Sequence, residues 1–267
     1  MKHMLDFYWT SMKIAIQTQF QYRVVEYFYM IGMIAEPVIY LVVWSTIANA
    51  QGGSVGGYTP GTFAAYYLVW TLVRNMNIVF TPYGWENRIR NGEFSMELLR
   101  PIHPLNNDVA YFAGMKVVVI ILWIPLGLLL SLFFKPVLNP TWYQVIGFFF
   151  AIWGAYLIRT MLLTLLGMIT FFTTRVGAIF ELFFAFELVF SGRLVPMSLM
   201  PPIVQNIANF LPFQWTFFFP IEALVSRMSI VNMLEGLGMQ LLWIALGWLA
   251  VMVLWRFSVR QFSAVGG

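Results

Sequence analysis

Residues 84–104 read GWENRIRNGEFSMELLRPIHP. Within them fall Glu86, Arg88, Arg90, Glu93, Glu97 and Arg100, the densest run of charge in the chain. Apolar stretches long enough to cross a bilayer lie on both sides. A segment this charged cannot rest in hydrocarbon. It is therefore a loop held in water, and the flanking stretches are spans. Its residues suit a short helical device pressed against another surface on the cytosolic side.

The composition agrees. The chain has 267 residues, 60% hydrophobic and 10% charged. A soluble domain carries about a quarter charged residues. The class is an all-α integral membrane protein, one transmembrane domain over 1–267. The apolar runs do not alternate, which excludes a β-barrel. Cysteine is absent, so disulfides, thiol chemistry and thiolate metal sites are excluded. The net charge of +4 belongs to membrane orientation, and no nucleic-acid partner is expected. The first twenty residues hold Asp6 and Lys13 and lack an apolar core ending in small residues, so no cleavable signal is expected.

Residues 1–24 are amphipathic. Leu5, Trp9, Met12, Ile16 and Phe20 recur at helical spacing beside a stripe of Asp6, Thr10, Lys13, Gln17 and Gln21. This pattern fits a helix in the membrane interface, or a helix packed on protein. The first span covers 27–48 and contains Glu36-Pro37. The Gly-rich stretch AQGGSVGGYTPG follows as a loop. The second span covers 62–82, with Arg74, Asn75 and Asn77 in its later half. The third covers 109–134, with Lys116 near its start and Pro125 inside. Residues 142–173 form one apolar run of 32 residues. As a helix that is about 48 Å, beyond a hydrocarbon core of roughly 30 Å. The fourth helix is thus tilted, bent near Gly167 or extended into the cytosol. Thr174-Arg175 turns the chain into the fifth span, 176–194, with Glu181 and Glu187. Residues 195–220 are apolar yet broken by Pro196, Pro201, Pro202, Pro212 and Pro220. No straight span survives that many prolines. Short helices dipping back into the outer side are expected, against protein or a wet cavity. The sixth span covers 233–255.

Six spans put both termini on one side. Lys2, Lys13, Arg23, Arg88, Arg90, Arg100, Lys116, Arg175, Arg256 and Arg260 then share that side. Lys135, Arg193 and Arg227 lie on the other. Ten cations against three place the termini and the 84–104 loop in the cytosol. Trp44, Trp142 and Trp255 stand near span ends, as interface anchors do. No internal repeat with matched broken helices is visible, which weakens a secondary-transporter reading.

RIRNGEFSMELLRPIHPL after the second span and SGRLVPMSLMPPIVQNIANFLPFQWTFFFP after the fifth carry a family resemblance. The chain resembles permease subunits of type 2 ATP-binding-cassette exporters, in the six-span branch of similar length. The likeness covers the layout of essentially the whole chain. It implies a half-transporter in the cytoplasmic membrane. Such a chain pairs with a second permease, identical or related, and with two cytosolic ATPase subunits that hold the ATP and Mg. It also implies that 86–101 is the coupling helix and 195–220 the outer re-entrant region. The resemblance names no substrate. Abundant aromatics suit an amphipathic or lipid-like cargo, and equally suit lipid-facing helices.

Read as one helix, the charged loop lines Trp85, Ile89, Met96 and Leu99 on one face. Glu86, Arg90, Glu93, Glu97 and Arg100 line the next, with Phe94 and Leu98 on the far side. Gly92 is expected to break it in two. Apolar knobs among charges are what docking into a partner's groove needs; a solvated connector is the other reading. With Arg88, Gly92 and Pro101 these residues are the ATPase-coupling candidates. Glu36, Arg74, Arg159, Glu181 and Glu187 lie in or near spans, where charges are costly and face the interior. Arg74 and Glu181 read as structural. Glu36, Arg159 and Glu187 fit a polar path or a helix lock, and Arg159 is expected to meet Glu187 or Glu36.

His103 and Asp108 have the H-x4-D spacing of some membrane acyltransferases, in which the histidine is a base oriented by the carboxylate. Pro101 and Pro104 flank it and no acyl-phosphate block follows. A membrane enzyme on that pair and an ion-coupled carrier on the buried Glu and Arg residues are the rival readings. No Walker A, H-E-x-x-H or G-x-S-x-G motif occurs, so no cofactor or catalytic residue is expected in this chain.

Overall fold

The computed structural model describes residues 2–79, 82–173 and 176–261. Arg175, counted above with the cytosolic charges, lies outside them. The described residues are helical apart from loops and one isolated bridge, Val55 to Tyr58.

α1 (Lys2–Gln21) packs along α7 (Pro104–Phe134). Gly114 allows this, because a Cβ there would stand 2.5 Å from the Met12 carbonyl oxygen. Leu5 and Trp9 stay exposed. The first apolar stretch is two helices, α2 (Arg23–Gly32) and α3 (Ala35–Ala50). The break at Met33-Ile34 falls one turn before Pro37, whose missing N–H and bulky ring interrupt the ladder there.

α4 (Pro60–Met76) is the hub. Thr59 caps its start in a capping box with Thr62, and Pro60 takes the first helical position. Twelve of its 17 residues are buried, and they fall on every side of the helix. Phe63, Tyr66, Tyr67 and Trp70 fill one core with parts of α3 and α7. Its far end is closed by cations. Lys116 Nζ donates to the carbonyls of Asn75 and Ile78, and Arg159 Nη1 donates to that of Asn77. Positive charge at exposed C-terminal carbonyls satisfies both the acceptors and the helix dipole.

α5 (Pro82–Arg90) and α6 (Phe94–Leu98) follow, and build a second core with α8 (Trp142–Met168) and α12 (Ile230–Gln261). α8 stays helical through Gly167 and tightens to 3₁₀ at Ile169–Phe171. α9 (Gly177–Phe190) packs chiefly on α10 (Pro202–Asn209) and the 3₁₀ turn Phe213–Trp215, and most of it is exposed. The prolines of this region start helical turns. Pro196 precedes the 3₁₀ turn Met197–Leu199, Pro201 and Pro202 open α10, and Pro212 precedes Phe213–Trp215. A fixed φ near −65° suits that place. α11 (Phe218–Val225) then buries itself against α8 and α4.

Four stretches among the described residues are long and apolar enough to cross a membrane: Arg23–Ala50, Pro104–Phe134, Trp142–Phe171 and Ile230–Gln261. α4 and α9 have 17 and 14 residues, about 26 and 21 Å of helix, and are shorter than that.

Candidate functional site

Two groups of polar residues stand out, one on the α5–α6 hairpin and one inside the bundle. Gly92, with φ +76°, turns the chain between α5 and α6. A left-handed residue at a helix end is cheap only for glycine. The turn folds Phe94 back onto Trp85, with ring centroids 5.3 Å apart. Trp85 and Phe94 are fully buried. Trp85 Nε1 donates to Asp108 Oδ2 at 2.9 Å, and Arg88 Nη2 donates to the same oxygen at 2.9 Å. Arg88 Nη1 also reaches Glu97 at 3.0 Å, and Arg90 pairs with Glu86 at 2.8 Å. Burial pushes the Glu97 carboxyl above its ordinary value, and Arg88 opposes it.

The single helical face expected from spacing is therefore split. Trp85 and Ile89 join Phe94 in the core. Met96 and Leu99 point out, 67% and 80% exposed. Glu86, Arg88 and Glu97, three of the expected docking charges, are tied within the chain. Glu93, Arg100 and Pro101 are exposed beside Met96 and Leu99, with Arg90 on the rim.

His103 and Asp108 are not brought together as a dyad. Asp108 accepts from Trp85 and Arg88. His103 is the N-cap of α7, its Nδ1 accepting from the Leu105 amide at 3.2 Å. Its ring lies 4.1 Å from Trp255. Burial lowers its pKa to about 4, so it is neutral near pH 7.

Inside the bundle, Arg159 Nε donates to Glu187 Oε1 at 2.7 Å and Nη2 to Oε2 at 3.1 Å. This is one of the two partners expected for it. The other, Glu36, pairs with Arg74. Arg193, read from sequence as an outer-loop cation, lies 3.5 Å from Glu36 and 3.6 Å from Glu187. Gly192 at φ +82° turns it inward, a bend that apolar periodicity does not encode. Glu181 accepts from the Tyr83 hydroxyl at 2.9 Å. Sequence reasoning also passed over Glu222, which accepts from Tyr58 Oη at 2.8 Å and borders two clefts of about 330 and 350 Å³. Its signal was visible: one carboxylate inside the apolar run FFFPIEALV.

Among the described residues no cluster of metal-ligating side chains occurs. Comparison with curated proteins returns no match. The family model described as "ABC-2 family transporter protein" matches residues 34–266, from just before α3 through α12, and so takes in both polar groups. The chain belongs to the ABC-2 family of transporter proteins.

Proposed function

We infer that this chain is the permease of an exporter, with 27–48, 62–82, 109–134, 142–173, 176–194 and 233–255 crossing the cytoplasmic membrane as six spans. Both termini and 84–104 face the cytosol, and 195–220 dips into the outer side. Two such permeases, identical or related, stand on two ATPase subunits that bind the ATP and Mg. The cargo is amphipathic or lipid-like and moves outward. Family membership supports the permease role and, with it, an ATPase partner.

The observation that carries the coupling role is the outward pair Met96 and Leu99, set among Glu93, Arg100 and Arg90 on a hairpin whose other side is bolted to the bundle. Apolar knobs ringed by charge fit a groove on a partner. Trp85 meets α8, and Asp108 of α7 holds Trp85 and Arg88. A push on the hairpin therefore moves α7 and α8 together. α8 carries Arg159, which holds α9 through Glu187 and the end of α4 through Asn77. One rigid connection thus biases a two-state bundle.

The test is purification of the tagged chain from its native membrane in mild detergent, with identification of what accompanies it. An ATPase subunit is expected; its absence under conditions that keep the chain monodisperse overturns the reading. Topology is read in parallel. Ser54→Cys is expected to label with an impermeant thiol reagent in intact cells, and Met96→Cys only after the cells are opened. Labelling of Met96→Cys in intact cells reverses the orientation.

A further inference from the structure

Five charged side chains form a ladder across the bundle: Arg74, Glu36, Arg193, Glu187 and Arg159. They come from α4, α3, the turn after α9, α9 and α8. Three guanidiniums share two carboxylates, which leaves one surplus positive charge. The charged groups acting on Arg193 are the other four members. Surplus charge among apolar helices is costly and calls for a counter-ion or a use.

The surplus is carried by one residue. Arg74 and Arg159 hold their carboxylates in close hydrogen-bonded pairs. Arg193 touches both carboxylates only at 3.5 and 3.6 Å, outside good hydrogen-bond range. Its Nε is buried without a partner. The ring centroids of Trp70 and Phe217 lie 5.9 and 5.3 Å from its Cζ. A guanidinium so placed, with N–H groups unspent, is arranged to take a forked anion.

The ladder is reachable. α9 packs chiefly on α10 and the turn Phe213–Trp215, and ion pairs bridge it to α3. Glu36 and Arg74 keep 29% and 22% of their side-chain surface. The flanks are apolar. Ile39 and Val43 lie one and two turns beyond Glu36 and are exposed. Phe186 and Phe190 stack at 6.0 Å on α9. A cation between greasy walls matches a molecule with an anionic head and an apolar tail.

We propose that Arg193, with the Glu36–Arg74 pair, is the head-group site for an amphiphile bearing one anionic group, a phosphate or a carboxylate. This rests on the exporter reading and narrows its cargo. The head displaces the loose contacts of Arg193 while Arg74 and Arg159 keep Glu36 and Glu187.

The experiment titrates the purified chain with phosphatidylglycerol, phosphatidylcholine of the same acyl chains, or inorganic phosphate, read by native mass spectrometry. The parent is expected to prefer phosphatidylglycerol over phosphatidylcholine by tenfold or more, with inorganic phosphate failing to compete at equal concentration. Arg193→Gln is expected to bring the preference near unity. Glu36→Gln removes a negative charge and is expected to raise it severalfold. An unchanged preference in Arg193→Gln, a fall in Glu36→Gln, or full competition by inorganic phosphate overturns the site. ATPase capture is scored on the same samples. A parent that shows no preference yet captures the ATPase overturns the head-group site alone, whereas a parent that captures no ATPase overturns the exporter reading.

Discussion

Trp85 rests directly on Gly167: a Cβ placed on that glycine would stand 2.9 Å from the Cβ of Trp85. The contact involves atoms next to the backbone, so no flexible side-chain end can yield. Gly167→Ala is expected to force α5 away from α8 and to cost about 1–3 kcal/mol. Gly238→Ala on α12 meets nothing within 4 Å and is expected to be neutral, or to gain up to about 1 kcal/mol from helix propensity. Thermal unfolding of the two variants in detergent checks both signs. Equal behaviour removes the contact from the account.

Arg159 and Glu187 lie deep in the bundle, with the Glu187 side chain only 1% exposed. Removing Arg159 leaves Glu187 only the looser contact of Arg193 at 3.6 Å, so Arg159→Leu is expected to destabilise, by less than the ~3–5 kcal/mol of a fully stranded buried charge. Arg159→Leu with Glu187→Leu is expected to recover most of that loss. Arg193 keeps Glu36 in the double variant. Additive losses in a double-mutant cycle exclude the coupling.

The hairpin surface separates into two classes. Leu99→Asp and Arg100→Glu alter exposed groups and are expected to change stability by less than about 0.5 kcal/mol. They are expected to reduce capture of the ATPase at least tenfold, because like charge or a carboxylate enters an interface. Glu97→Lys places a cation against Arg88 and is expected to destabilise the hairpin itself. Capture assays beside melting curves distinguish the classes, and normal export from Leu99→Asp and Arg100→Glu reduces the hairpin to a connector.

Glu222 titrates in reach of physiological pH. Burial raises its carboxyl to about 7, against the hydrogen bond from Tyr58. The folded protein therefore holds this proton where the unfolded chain, with an ordinary value near 4.3, has released it. Stability from this group is full below about pH 4 and falls as pH rises toward 7, by roughly 3–4 kcal/mol in all. Glu222→Gln is expected to flatten that slope. Melting temperatures between pH 4.5 and 8 measure it; an identical slope in the variant assigns the dependence elsewhere.

The all-helical class and the four long apolar stretches were legible because each residue's transfer into hydrocarbon is a local property, readable one window at a time. Arg159 facing Glu187 was legible for the same reason: a mid-helix charge must find a partner. The inward turn of Phe94 was not. It depends on Gly92 adopting positive φ and on Trp85 needing a lid, and helical spacing alone placed Phe94 on the wrong side. The contacts of Arg193 were not legible either: it was counted only as an outer-side cation, and the turn at Gly192 brings it to Glu36 and Glu187. Asp108 was read beside His103 because they are close in sequence, but α7 begins at Pro104 and aims the carboxylate at Arg88.

Lys116 and Arg159 clamp the same end of α4 from α7 and α8. Neither neighbour can slide along α4 without uncovering carbonyls that have no water to turn to. These three helices are tied into one body. In the proposed exporter a push on the hairpin therefore carries all three as one block, past the sparsely packed α9.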